Sequence, residues 1–432
     1  MMILRSAAAH DVIERHPSLT VEAAYARARQ AALTESVIGS VGLEIERHVV
    51  DLGDAARPVA WDRIDPVPGA VRAAAGPNAI TLEPGGQLEL SGPPAPDIRT
   101  AVTELLDSAE RVRHTLADAG LGLAAAGADP LRPSRRMNPS PRYRAMERHF
   151  AATGKSLPGA VMMNSTAAMQ VNLQAGPERG WSERVALAHR LGPTMVAISA
   201  NSPWLHGRDT TWKSARQRAW GDLDPRTCGP VPGCLAVDEA SDDAVDPAAA
   251  WARFALRAPV SLIKTPEDTV VAVDTSVPFQ QWASGAVRLG GRLPTEADLD
   301  AHLTTLFPPV RLRGYLELRY LDTSAARWWP AIAAVVTTLM DDPAAADLAM
   351  EATRQTSMLW TEAARDGLAD ARLADSARRL LQIAAERVTT ELSPAVADLC
   401  DLVASGRCPG DLLAERITLT GPLAALEELA HE

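Results

Sequence analysis

Apolar and polar positions alternate strictly in four short stretches of the chain, and the polar side of each carries groups that a folding core rejects. Gly42-Leu43-Glu44-Ile45-Glu46 sets two carboxylates on one side of a strand. Gln87-Leu88-Glu89-Leu90-Ser91 sets an amide, a carboxylate and a hydroxyl together. Thr166–Gln174 places Thr166, Gln170, Asn172 and Gln174 opposite Met169, Val171 and Leu173. Arg311–Arg319 lines up Arg311, Arg313, Tyr315, Glu317 and Arg319 against Leu312, Leu316 and Leu318. Successive strand side chains point to opposite faces, so each segment is half apolar and half loaded with ligand-type groups. One such strand alone is as well explained by a solvated face; four together, with few lysines among them, are not. Joined in one antiparallel sheet they give a polar face rich in carboxylates with arginines beside them. Gathered carboxylates repel, and hard divalent cations such as Mg²⁺ relieve the repulsion. Adjacent arginines would then complete a place for a transferring phosphoryl group.

Helical periodicity fills much of the remaining chain. Residues 19–34 read as a helix capped by Ser18 or Thr20, and a strand follows over about 36–50. Prolines and glycines punctuate 58–86 as a loop leading to short strands near 78–83 and 87–91. Ile98, Val102, Leu105, Val112 and Leu116 mark a long amphipathic helix over 96–119. A short apolar strand is expected at 121–126, a Pro/Arg-rich loop at 128–142, a central strand over 161–174 and a helix over 178–191. Residues 201–234 read as a functional loop holding Trp204, Trp212 and Trp220 with Arg208, Arg216 and Arg218, although core anchoring by the tryptophans explains them too. Strands near 259–264 and 268–273 are joined by a tight acidic turn, a helix opens near 295, and the last strand is 310–320. From Trp328 onward Ala, Leu, Arg and acidic residues recur at helical spacing, predicting three to five helices. The expected architecture is α+β: a mostly antiparallel sheet in a catalytic core, 1–326, with flanking helices and a C-terminal helical region, 327–432.

Composition narrows the function classes. At 432 residues the chain can bury a large core. A net charge of −11 argues against nucleic acid or an anionic membrane as its main partner. No apolar run approaches the roughly 20 residues that span a bilayer, and the first residues do not form a secretory signal, so a cytoplasmic protein is expected. Cys228, Cys234, Cys400 and Cys408 lack metal-site spacing and read as free thiols, with a redox pair as the alternative. Lys155, Lys213 and Lys264 are the three lysines beside forty arginines. Thr153-Gly154-Lys155-Ser156 mimics the end of a P-loop, but His149 occupies the position of its first glycine. No Gly-x-Gly-x-x-Gly follows a strand, which removes a dinucleotide fold.

In order along the chain, Gly42-x-Glu44-x-Glu46, Pro84-Gly85-Gly86-Gln87-Leu88-Glu89-Leu90-Ser91, Gln170-Val171-Asn172-Leu173, Asn201-Ser202-Pro203-Trp204…Ser214-Ala215-Arg216…Trp220, and His302-Leu303-Thr304-Thr305-Leu306-Phe307-Pro308 ending in Tyr315-Leu316-Glu317-Leu318-Arg319 resemble glutamate–cysteine ligases. The resemblance is to the plant-type branch and its actinobacterial members, which open the ergothioneine pathway, and it covers about 36–325. It implies a glutamine-synthetase-like fold whose antiparallel sheet forms a funnel for ATP and two or three Mg²⁺ ions. It implies that L-glutamate, L-cysteine and ATP give γ-glutamylcysteine, ADP and phosphate. Glu44, Glu46, Glu89 and Glu317 stand at the family's metal-ligand positions, and Gln170 and Asn172 at metal or substrate contacts. Arg319, with Glu317, takes the catalytic place beside the transferring phosphoryl group; Arg216 and Trp220 are the substrate contacts; Thr304, Thr305 and Arg313 face the nucleotide. The stretch Phe254–Val260 departs from the pattern, with Arg257 where relatives often carry an acidic residue.

A carboxylate acylates poorly, so ATP must first turn the glutamate γ-carboxylate into an acyl phosphate, which the cysteine amine then attacks. His302 is a candidate base or a structural hydrogen bonder, and Thr304 and Thr305 either bind phosphate or cap a turn. A ligase of the same fold with another amine acceptor, or a binding protein without turnover, shares most of these features. No pattern in the sequence encodes the oligomeric state.

Overall fold

The computed structural model describes residues 18–234, 246–265 and 269–432. Its centre is a seven-stranded sheet that runs Val310–Leu312, Tyr315–Asp322, Ala168–Gln174, Val41–Asp51, Leu88–Ser91 and Ala79–Leu82, with Leu121–Ala124 also paired to Val41–Asp51. Every pairing in it is antiparallel. Alternation fixes the two faces. Leu43, Ile45, Leu88, Leu90, Val171, Leu173, Leu316 and Leu318 are buried in one continuous core, while Glu44, Glu46, Glu89, Gln170 and Arg319 line a cavity on the other side. The architecture is α+β, as the sequence pattern predicts.

Helices cover the apolar face. The helix Ile98–Asp118 is capped by Asp97, whose carboxylate accepts from Thr100 N–H at 2.7 Å, and buries Val102, Leu105, Val112 and Leu116. Trp181–Ser199 is buried along most of its length and packs on Tyr315–Asp322. Of the two cap candidates for the first helix, Thr20 serves, accepting from Ala23 N–H at 3.2 Å. After Trp328 come six α-helices rather than three to five: Trp329–Asp341, Pro343–Ala352, Trp360–Arg365, Ala371–Ala385, Ser393–Ala404 and Pro409–His431, the last broken by Gly421 at φ 85°. One hydrophobic cluster includes Met169 and Leu318 of the sheet together with Ile332, Val335, Leu380 and Leu399 of these helices.

Several expected boundaries move. The strand expected over 310–320 is two strands, because Gly314, at φ 81°, closes a hairpin there. Arg313 and Tyr315 therefore do not continue one row with Arg311; instead Arg311 lies directly opposite Glu317 across the hairpin. The strand expected from 161 starts at Ala168, since Ser156–Ser165 is helical and Thr166 makes only an isolated bridge to Ala128. The loop expected over 58–86 holds the helix Val67–Ala75, which Pro68 begins and Gly76, at φ 62°, ends. The stretch 201–234, expected as a loop, contains a two-residue-per-strand hairpin at 204–209 and the helices Ala215–Gly221 and Pro225–Cys228. The helix expected to end at 191 runs to Ser199 through Pro193, and Pro247–Arg257 is a further helix that ends at exposed Arg257. The acidic turn expected after Lys264 and the N-terminal segment lie outside the described residues.

Among the described residues no helix is long and apolar enough to cross a membrane.

Candidate active site

The cavity on the polar face holds about 300 Å³. Strand Val41–Asp51 contributes Glu44 and Glu46, and Leu88–Ser91 contributes Glu89 directly opposite Glu46 in register. Like charges directly opposed across a strand pair destabilise it. A fourth carboxylate, Glu83, arrives from the turn between Ala79–Leu82 and Leu88–Ser91. That turn is tight: a Cβ on Gly85 would stand 2.2 Å from the Asn164 carbonyl oxygen, and Gly86 sits at φ 86°. The Pro84-Gly85-Gly86 motif is thus a close backbone approach that aims Glu83 into the cavity.

These four carboxylates are under-compensated. Burial and the charges of Glu89 and Glu317 raise the Glu44 carboxyl to about 7. Burial raises Glu46 as well, against the pull of Arg216, Ala168 N–H and Arg319. Burial and the neighbouring carboxylates push Glu83 far above the usual range and raise Glu89. The polar neighbours supply only neutral donors: Asn172 Nδ2 to Glu44 Oε1 at 2.7 Å, Ala168 N–H to Glu46 Oε2 at 2.7 Å, and Thr81 Oγ1 and Ser91 Oγ to Glu89 Oε1 at 2.8 and 3.1 Å.

Glu317 differs. Arg311 grips it with both Nε and Nη2, Arg319 Nη1 donates to Oε1 at 3.1 Å, and Arg313 Nη1 lies 3.6 Å away. It is 1% exposed, yet Arg319 and Arg311 overcome its burial and hold its carboxyl near 2. Arg319 in turn donates from Nη1 to Gln170 Oε1 at 2.7 Å and lies over the rings of Trp220 and Phe307, 6.0 and 5.9 Å from their centroids. Arg216, also fully buried, donates from Nη2 to the Arg319 carbonyl at 2.6 Å. Its Nη1 has no hydrogen-bond partner and lies 3.6 Å from Asp322, which Ser202 and Ser214 fix by hydrogen bonds of 2.6 and 3.0 Å. Arg319 Nε and Trp220 Nε1 are likewise buried without a partner.

Of the sequence-derived candidates, Glu44, Glu46, Glu89, Glu317, Gln170, Arg216, Trp220, Arg319, Arg313 and Thr304 all line this one cavity. Asn172 stands behind Glu44. Thr305 lies off the lining, its hydroxyl donating to the His302 carbonyl at 2.7 Å, so it fastens the turn; Thr304 Oγ1 does the same to Ala301. His302 is buried away from the cavity, its Nε2 donating to the Ala255 carbonyl at 2.8 Å while it stacks on Phe279. Three polar or charged lining residues were not anticipated: Glu83, Arg142 and Tyr143. Glu83 was legible, since Ile80 and Leu82 alternate with Thr81 and Glu83. Arg142 and Tyr143 sit on the helix Pro141–Ala152, whose periodicity says nothing of the cavity.

Among the described residues no three acidic, His or Cys side chains already form a closed ligand cluster. The donor set nonetheless fits hard cations: oxygen ligands only, crowded, and raised in pKa by burial and then by their mutual charge.

The sequence pattern of glutamate–cysteine ligase family 2 (GCS2) matches residues 40–430. The chain belongs to that family. It is 49% identical over 411 residues to the glutamate–cysteine ligase EgtA of Mycolicibacterium smegmatis, covering 95% of each protein. The chloroplastic glutamate–cysteine ligase of Medicago truncatula is more distant, 30% identical over 63% of this chain and 52% of its own length. Among solved structures, a glutamate–cysteine ligase from Francisella tularensis in complex with AMP superposes with a TM-score of 0.53 at 13% identity, over 92% of this chain and 88% of its own, which shows the shared fold.

Proposed function

We propose that this enzyme joins the γ-carboxylate of L-glutamate to the amine of L-cysteine with cleavage of ATP, through γ-glutamyl phosphate, as the opening step of ergothioneine biosynthesis. The observation that carries the reading is the pairing, on one sheet face, of four under-compensated carboxylates with buried Arg216 and part-buried Arg319, whose donors are partly free. Family membership and the near-complete coverage of the mycobacterial relative support it.

Each group has work that its surroundings suit. Arg319, held by Glu317 and Gln170, keeps Nε free to point at a phosphoryl oxygen, and its planar fork fits that geometry. Arg216, set by Asp322, offers Nη1 to a substrate carboxylate. Glu44, Glu46, Glu83 and Glu89 would hold two or three Mg²⁺ ions, and Glu317 would join them only by giving up part of its arginine contacts. When bound, Mg²⁺ supplies charge neutralisation for the phosphates and the reacting carboxylate. Trp220 and Phe307, packed edge to face at 5.7 Å, wall the arginines off from water and so strengthen their pull on charge that develops during transfer. Arg313, half exposed at the hairpin turn, and Thr304 are placed for outer nucleotide contacts.

Incubation with glutamate, cysteine, ATP and Mg²⁺ should give γ-glutamylcysteine, identified by mass and fragmentation, one per ADP. An α-linked product, or ADP release that ignores cysteine, would defeat the reading.

A further inference from the structure

The face of the sheet away from this cavity carries one residue out of pattern. Along Val41–Asp51 the core-facing row runs Leu43, Ile45, Arg47, Val49. Arg47 is 9% exposed. Its Nη1 donates to the Glu46 carbonyl at 3.0 Å and to the Thr323 hydroxyl, and its Nη2 donates to the Ser324 carbonyl at 3.0 Å. Every acceptor is neutral. Among the described residues no carboxylate forms an ion pair with it; the favourable charge it feels is that of Glu46, on the other face of the strand. A buried charge without a counter-ion is costly to keep, so a guanidinium in an apolar row asks for an anion.

Beside Arg47 opens a second cavity of about 270 Å³. Ile45, Leu88 and Leu90 form its floor, Leu106 comes from the helix Ile98–Asp118, and Trp329 closes one end. The other charged groups on its lining are spoken for or solvated. Glu110 and Arg113 pair at 2.7 Å, Glu432 pairs with Arg416, and Asp107 is exposed. Arg47 is thus the one buried charge on the lining, which it shares with exposed Asp107, Glu110 and Glu432 and half-buried Arg113. Mostly apolar cavities with a few placed polar groups are characteristic of small-molecule sites.

We propose that this chamber is a second ligand site, which takes a small monocarboxylate with an apolar or aromatic body, the carboxylate on Arg47 and the body against Ile45, Leu88, Leu90 and Trp329. A dry cavity of about 150 Å³ holds a benzene ring, so this one holds a ring with a short acid chain. Occupancy would bear on the strand that carries Glu44 and Glu46, since Arg47 follows Glu46 and donates to its carbonyl. That consequence rests on the proposed ligase reading; the site itself does not.

Calorimetric titration of the full chain with 3-phenylpropionate, without nucleotide, tests it. We expect a Kd at or below about 1 mM, binding of 3-phenylpropan-1-ol at least about tenfold weaker, and none of 3-phenylpropylamine. Arg47→Met should erase the advantage of the acid over the alcohol. Leu106→Trp, which fills the chamber from the helix without touching Arg47, should abolish both. Thermal melts establish that each variant folds, and Leu106→Trp decides alone if Arg47→Met does not. No binding of 3-phenylpropionate, undiminished binding to either folded variant, or displacement by ATP and glutamate as a competitor for the same place would overturn the site. None of these outcomes touches the product assay, so the two readings fail separately.

Discussion

Two sets of glutamates share one face of one sheet and live in opposite electrostatic worlds. Glu44, Glu46, Glu83 and Glu89 crowd each other, receive only neutral donors or distant arginine charge, and have carboxyls held above the ordinary range. Glu317, one strand beyond the central pairing, is more deeply buried yet lies well below it, because Arg311 and Arg319 neutralise it. Burial alone does not decide a carboxylate's state; the charge of its neighbours does. The first set is built for charge that arrives with ligands. The second is part of the frame that holds an arginine in place. In the proposed reaction, turnover would draw on the first set for cations and on the second for the aim of Arg319.

The largest effect should come from the aimed arginine. Arg319→Lys keeps a positive charge but loses the fork that spans Glu317 and Gln170, and initial-rate assays should find turnover reduced on the order of 10²-fold or more. A rate within threefold of wild type would detach this arginine from the chemistry. Glu46→Gln comes next. It preserves shape and the bond from Ala168 while removing one charge from the crowded set, so turnover should fall by roughly 10²-fold with a raised Mg²⁺ requirement.

The pH dependence sharpens the same contrast. A carboxyl held above its unfolded value contributes its stability in full below that value and loses it as pH rises through the folded one. For Glu44 the window runs from the ordinary 4.5 to about 7. The metal-free protein should lose stability across that window, and Mg²⁺ should restore it, so the gain in Tm on adding Mg²⁺ should be larger at pH 8 than at pH 6. Glu317 has the reverse sign: held near 2, its contribution is complete above 4.5 and is lost only as pH falls toward 2. Equal Mg²⁺ gains at both pH values would count against the crowded set as the cation site.

The smallest effect concerns the thiols. All four cysteines are free, and burial pushes the thiols of Cys228 and Cys234 up to about 12, far from the reactive thiolate. Thiol titration of the unfolded protein should count four groups, and mild oxidant should change turnover by less than about twofold. A large oxidative loss would reveal a redox control that this packing does not provide.

Much of this site was legible in the chain because strand alternation is a strict code. Glu44, Glu46 and Glu89 sit where period two puts them, and Leu43, Ile45, Leu88 and Leu90 fill the other side. Where the code was broken by backbone, it misled. Gly314 folds Arg311 back onto Glu317, so the two residues read as neighbours along one row are partners across a hairpin. That single positive φ converts Glu317 from a further free carboxylate into a clamped one. The second half of the helix Ser156–Ser165 reads as strand because its apolar run, Val161–Met163, is short and buried, which periodicity cannot distinguish. Arg142 and Tyr143 reach the cavity through tertiary packing alone.

Thermal unfolding of Glu89→Gln and Glu317→Gln side by side, in Mg²⁺-free buffer at pH 8, tests the contrast most directly. Removing a charge from the crowded set should leave the protein as stable as wild type or more so. Removing the counter-ion from Arg311 and Arg319 should destabilise it by about 3–5 kcal/mol, since it strands the buried guanidinium of Arg311 and the part-buried one of Arg319. Opposite or clearly unequal shifts in those directions are the predicted result; an equal loss of stability in both variants would contradict the account.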